Sequence, residues 1–164
     1  MMNQMGLALP TKSQASLSFF PKIYADIGDN QSLSDNLSTF AAHVSNLSTI
    51  TYFVTSKDLV LLDELGTGTS PAEGEAIALA VSDFLLEKKC FGVISSHFEE
   101  MKEYAFRREN VSNAMMVFDE KQLLPTYVLR IGYPGRSYGL EMAKRYRLKD
   151  SVIVKAQENL GKSK

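Results

Sequence analysis

Leu59-Val60-Leu61-Leu62-Asp63-Glu64, followed at once by Leu65-Gly66-Thr67-Gly68-Thr69, decides the reading of this chain. Four consecutive apolar residues of β type predict a strand buried on both faces, as in a parallel sheet covered by helices. The two carboxylates then emerge at its C-terminal end, where open α/β sheets place their ligands. This is the position and wording of a Walker B pair. In such a site the first acid, Asp63, holds Mg²⁺, usually through water, and the second, Glu64, polarises the water that attacks a γ-phosphate. A buried strand ending in a solvated acidic turn would read the same way over these six residues alone, and the glycine and threonine run after them shifts the balance.

Outward from the strand the elements alternate. A helix is expected from about Ser38 to Thr55, because Phe40, Val44, Leu47 and Ile50 recur at three or four residues. Downstream, Ser70-Pro71-Ala72-Glu73-Gly74-Glu75 combines an N-cap serine, a proline at the first helical position and first-turn acids, which starts a helix running through Leu86. Phe91 to Ser95 reads as the next buried strand and Phe98 to Phe106 as a helix. Upstream, Leu17-Ser18-Phe19-Phe20 and Lys22-Ile23-Tyr24-Ala25 read as short strands around Pro21, and Gly28 to Asn36 as a loop. Ala114 to Phe118 and Thr126 to Ile131 predict a hairpin. Two helices close the chain, one from about Ser137 to Tyr146 and one from Asp150 or Ser151 to about Gly161. Glycine-rich Gly132-Tyr133-Pro134-Gly135-Arg136-Ser137-Tyr138-Gly139 lacks phosphate-loop spacing and reads as a turn into a helix capped near Ser137.

Three segments, in chain order, make the reading specific. Gln31-Ser32-Leu33-Ser34-Asp35-Asn36-Leu37-Ser38-Thr39-Phe40 precedes the acidic strand, the Glu64-Leu65-Gly66-Thr67-Gly68-Thr69 run follows it, and Ser95-Ser96-His97-Phe98-Glu99-Glu100 closes the next strand. Together they resemble the MutS family, with its Ser-Thr-Phe signature at a helix start, its Glu-(Leu/Ile)-Gly-x-Gly-Thr run and its hydroxyl-hydroxyl-His switch. Asp26-Ile27-Gly28-Asp29-Asn30-Gln31-Ser32 and Pro125 to Ser137 look most like the bacterial branch associated with suppressing recombination.

That resemblance implies an α/β fold of the P-loop NTPase, ABC-type ATPase class, here incomplete. The Gly-x-x-x-x-Gly-Lys-Ser/Thr loop of Walker A occurs nowhere in the 164 residues, and Met2 to Pro10 resembles the end of the helix that follows it. The expectation is therefore the C-terminal part of a MutS-type ATPase domain spanning residues 1–164. With its loop and strand missing, apolar edges should be uncovered around Val60 to Leu62 and Phe91 to Ile94.

The resemblance also implies roles. Ser38 and Thr39 would meet nucleotide, with Ser38 reaching the γ-phosphate held by a second subunit. Asp63 would hold Mg²⁺ and Glu64 activate water. His97 would be the switch that hydrogen-bonds the γ-phosphate or the attacking water. Gly66, Thr67, Gly68 and Thr69 would form the D-loop at a homodimer interface. ATP and Mg²⁺ are the implied ligands, and the parent protein would couple ATP hydrolysis to DNA in mismatch repair or recombination control. Each residue also has a plainer reading: Ser38 as a helix cap, His97 as a polar strand end, Gly66 to Thr69 as a flexible turn. His43, within the signature helix, is read as a helix-face residue with no assigned chemistry.

Two rival functions stand beside this one. The motor part of another ABC-type ATPase would carry Leu-Ser-Gly-Gly-Gln where this chain has Leu37-Ser38-Thr39-Phe40. A non-catalytic dimerisation module would have no need of Asp63, Glu64 and His97 together.

Composition adds bounds. A net charge of −1 supplies no broad positive field, so DNA contact is expected through other parts of the parent chain. Lys12, Lys22, Arg107 and Arg108 form no basic stripe, and Arg130, Arg136 and Arg145 carry no assignment. Single Cys90 has no partner for an internal disulfide and reads as a small hydrophobe in a reducing, cytoplasmic setting. No apolar run is long enough to span a bilayer, so no membrane contact is expected.

Overall fold

A computed structural model describes residues 2–11, 14–28 and 39–162. Among these, the chain forms two compact units, residues 1–101 and 102–164.

In the first unit a short 3-10 turn at Met2–Met5 is followed by β1 (Ile23–Asp26), α1 (Thr39–Phe53), β2 (Leu59–Leu62), α2 (Pro71–Lys88) and β3 (Phe91–Ile94). The three strands are parallel in the order β1-β2-β3, and a helix connects each pair, as parallel pairing requires. Register aligns Asp26 with Leu62 and Leu62 with Ile94, so all three strands end at one level. Val60 and Leu62 are buried at the centre, packed with Leu47 and Ile50 of α1, Val54 just beyond its end, and Ala78 and Leu85 of α2. The apolar period of the α1 sequence is thus largely its inner face, although Val44 is exposed.

Local sequence explains the ends. Ser70 is extended (φ −61°, ψ 143°) ahead of Pro71, a ring already set to the helical φ. Its hydroxyl does not accept a backbone N–H but donates to Glu73 Oε2 at 2.8 Å, beside a second donor, Thr69 Oγ1, at 3.0 Å. These two hydroxyls, Ser70 first, hold the Glu73 carboxyl below its ordinary range. At the other end Lys89 takes the left-handed conformation (φ 57°) and its N–H caps Leu86 O. Asp58, almost fully buried, closes the turn between α1 and β2 by accepting from Thr55 N–H and Oγ1, both at 2.8 Å.

Several expectations are corrected. Residues 17–20 form no strand; only Ile23–Asp26 pairs, because β2 offers a partner to that segment alone. β2 is not an uncovered edge: β1 and β3 occupy both flanks, and Val60 is 0% and Leu62 3% exposed. On β3, by contrast, Phe91 (58%) and Val93 (64%) are open, and among the described residues its outer flank has no strand partner.

In the second unit β4 (Ala114–Asp119) and β5 (Leu124–Ile131) form an antiparallel hairpin with an irregularity between Met116 and Phe118. Asp119 Oδ1 accepts the N–H groups of Lys121 and Gln122 and so shapes its turn. α4 (Gly139–Arg145) and α5 (Asp150–Lys162) follow. The residue at the N-terminal end of α4 is Tyr138, next to Ser137 and in keeping with a cap near that position, and its ring stacks on Phe118 at 4.4 Å. α3 (Glu99–Arg107) runs across the division in the sequence. No helix among the described residues is long and apolar enough to cross a membrane.

Candidate functional site

Because the three strands end in register, Asp63 and Ser95, the residues that follow β2 and β3, lie beside each other at the C-terminal edge of the sheet, and Asp26, the last residue of β1, is one step back, level with Leu62 and Ile94. The backbone continues the ladder there: Asp63 N–H donates to Asp26 O at 2.8 Å, Ser95 N–H to Leu62 O at 2.9 Å, and Leu65 N–H to Ser95 O at 3.1 Å.

Ser95 ties the acid pair together. Its hydroxyl donates to Asp63 Oδ1 at 2.5 Å and accepts the Glu64 N–H at 2.8 Å. Glu64 itself is left-handed (φ 51°), which turns the chain sharply between the two carboxylates. Both carboxylates remain exposed. The result is one acid oriented by a short hydroxyl bond and a second projecting from a fixed turn, in contact with solvent.

The loop that follows is held by a crossing of two glycines. A Cβ built on Gly66 (φ +89°) would lie 2.3 Å from Gly74 O, and one on Gly74 would lie 2.1 Å from Gly66 O. Neither position has room for a methyl group, so the loop passes directly over the first turns of α2. Gly68 (φ +88°) packs in turn on Phe40 of α1. A depression at this edge is lined by Asp26, Phe40 and His43 together with Asp63, Glu64, Gly66 and Thr67.

Asp63, Glu64, Gly66 and Thr67 therefore come together, whereas His97 does not line the depression; it is exposed and its ring lies 4.9 Å from that of Phe98. Thr39 is the first residue of α1, its side chain outside the described residues, and Ser38 lies outside them altogether. Gly68 and Thr69 belong to the same loop.

Two features escaped sequence reasoning. Ser95 belongs to the Ser95-Ser96-His97 run without a role of its own there; strand registry, which the sequence does not announce, puts the residue after Ile94 beside the one after Leu62. Asp26, His43 and Asn46 form a second polar cluster. Asp26 is 4% exposed, and its carboxylate accepts His43 Nδ1 and Asn46 Nδ2, each at 2.8 Å. His43, on a face of α1, thus has a definite partner in Asp26. Cys90 packs beside the core as expected; burial raises its thiol pKa, and Sγ lies 3.5 Å from Leu85 O.

Comparison with known proteins gives one answer. The family model described as MutS domain V matches residues 1–163. Proteins named Endonuclease MutS2 are similar: that of Fusobacterium nucleatum subsp. nucleatum is 45% identical over 153 residues, covering 93% of this chain. The Clostridium tetani protein is 44% identical over 155 residues (94% of this chain), and that of Exiguobacterium sibiricum 45% over 161 residues (98%). In each case the chain spans 20% of the relative's length. The chain belongs to the MutS family through its domain V, in the branch whose relatives carry the name MutS2.

Proposed function

We propose that this chain supplies the Walker B half of an ATP-hydrolysing site in a MutS-type protein of P-loop NTPase, ABC-type fold. The observation that carries the reading is the acid pair at the end of β2, with Ser95 bonded to both of its members.

The donor set suits magnesium. No group of three or more His, Cys, Asp or Glu side chains that could cage a metal occurs among the described residues. A small hard cation that keeps much of its water and takes further oxygens from phosphates needs only one or two protein carboxylates. Asp63, oriented through Oδ1 by Ser95, is the residue that would hold it, directly or through water. Bound there, Mg²⁺ would neutralise charge on the phosphate oxygens.

The chain's own residues then divide the work. Glu64 accepts the proton of the attacking water on its carboxylate, and the left-handed turn at residue 64 fixes where that carboxylate starts. Ser95 holds the Asp63 carboxylate against the backbone of the turn at Glu64. His97 donates to the γ-phosphate or orients the water. Thr39, the first residue of α1, and Ser38, which precedes it in sequence, meet phosphate, Ser38 doing so on the partner subunit of a homodimer whose D-loop is Gly66 to Thr69.

The parent protein would use this hydrolysis to switch a DNA-bound state, in mismatch repair or in recombination control, with DNA held by other parts of its chain. Its relatives are named endonucleases; we assign DNA cleavage to no residue described here.

The test is Glu64→Gln in the full-length protein. Nucleotide binding should stay near wild type while hydrolysis slows by about two orders of magnitude, the scale of losing a general base. Asp63→Asn should instead weaken Mg²⁺-dependent binding. Full turnover by Glu64→Gln would remove Glu64 from the role of water activator.

A further inference from the structure

Asp26 is a buried carboxylate that the hydrolysis scheme above does not use. Removing a carboxylate from water is costly unless donors replace the lost hydration. Here they do: His43 Nδ1 meets Oδ2 and Asn46 Nδ2 meets Oδ1, each at 2.8 Å. The two donors are three residues apart on α1 and so share a face. The backbone of Asp26 points its bonding elsewhere, with its carbonyl accepting the N–H of Asp63 at 2.8 Å. One residue thus joins α1 by its side chain and the acid pair by its main chain.

Asp58 offers the contrast. It is equally buried, but its donors come from Thr55, three residues upstream, and they close a local turn. The donors to Asp26 come from another element, 17 and 20 residues along the chain. A contact made only to fill this position would be met more cheaply by apolar side chains, since buried charges seldom add net stability. The helix they come from touches the acidic loop a second time, where Phe40 packs on Gly68. His43 itself lines the depression that holds Asp63 and Glu64.

We propose that Asp26, His43 and Asn46 are positioning residues, a polar latch that sets the N-terminal half of α1 against Asp63 and Glu64. This rests on the hydrolytic reading above. Through the latch, the helix start and the carboxylate pair hold one spacing, and neither Asp26 nor His43 needs to touch the reacting atoms.

The test compares His43→Leu and His43→Asn with wild type in the full-length protein. Leucine fills the volume but leaves Asp26 Oδ2 without a donor. Asparagine returns an amide nitrogen near the place of Nδ1. His43→Leu should lower kcat for Mg-ATP about ten- to a hundredfold with KM changed less than about twofold, the scale of a small misplacement of catalytic groups. His43→Asn should recover most of that loss. In parallel, amide hydrogen exchange should rise in His43→Leu over residues 39–46 and 62–68, remain at wild-type level over 71–94, and return to wild type in His43→Asn.

An unchanged kcat in His43→Leu, an Asn variant no better than Leu, or exchange that rises throughout the unit would each overturn the latch. If the wild-type protein hydrolyses no nucleotide, the hydrolytic reading fails and exchange alone judges the latch. A rise confined to the two segments upholds it as the link between α1 and the acid pair; no rise at 62–68 refutes it.

Discussion

Gly74→Ala sets two ordinary effects against each other, and the geometry says which wins. Alanine is favoured over glycine inside a helix by about 1 kcal/mol, so at an open position of α2 the change would stabilise. At residue 74 the new Cβ would sit 2.1 Å from Gly66 O, where real Cβ atoms keep at least 3.0 Å, and 3.1 Å from Phe98 Cζ. Roughly 0.9 Å must therefore be found. The obstacle is a backbone carbonyl in a loop at φ +89°, not the end of a flexible side chain, so no rotamer change relieves it. Overpacking costs about 1–3 kcal/mol, and backbone against backbone belongs at the upper end. Net destabilisation of about 2 kcal/mol follows once the helical preference is set against it. In urea, with a slope of about 1–3 kcal/mol per molar for a unit of this size, the unfolding midpoint should fall by about 1 M. Gly161→Ala in α5, where a Cβ would meet nothing within 4 Å, is the control and should be neutral or slightly stabilising. A Gly74→Ala protein as stable as wild type would refute the claim that the loop is pinned on α2.

Two further changes probe the same unit. Asp58→Asn should flatten the acid limb of stability: the Thr55 hydroxyl, then its N–H and the charge of Lys22, hold the Asp58 carboxyl below its ordinary 3.8 against the opposing effect of burial. Its contribution is complete above that ordinary value and drains away as pH falls through the depressed one, so unfolding midpoints followed from about pH 5 to pH 3 should fall less steeply in the variant; equal slopes would count against it. Ser95→Ala in the full-length protein should raise the Mg²⁺ needed for half-maximal turnover by about tenfold, as loss of an orienting partner does, while the folding free energy changes by less than about 1.5 kcal/mol; an unchanged Mg²⁺ dependence would show that Ser95 does not orient Asp63.

The helices and strands of the first unit were legible because their signals are local. Four apolar residues before Asp63 make β2, and Ser70-Pro71 starts α2 where its dihedral angles require. The segment Leu17 to Phe20 shows the limit. Its residues have strand character, but a strand exists only against a partner, and which segment β2 accepts is a property of the fold. The same holds at the site. Asp63 and Glu64 are adjacent in sequence and could be read directly, whereas Asp26 and His43 meet only after α1 folds back over β1. Nothing in the spacing of an aspartate and a histidine 17 residues apart announces that bond. The stacking of Tyr138, the residue before α4, on Phe118 of β4 is likewise a contact that no local signal announces.

The conformation of Glu64 carries an evolutionary reading. A left-handed glutamate costs about 1–2 kcal/mol that glycine at the same place would not. If residue 64 served the turn alone, drift toward glycine would be downhill in folding energy. On the proposed function, a chain with a carboxylate there is less stable than its own backbone would permit, and the difference is what that acid costs in folding energy at one position. The most accessible route to a hardier protein at this site is therefore also the route that removes its acid, so screens for thermal tolerance alone would tend to discard the residue proposed to activate water.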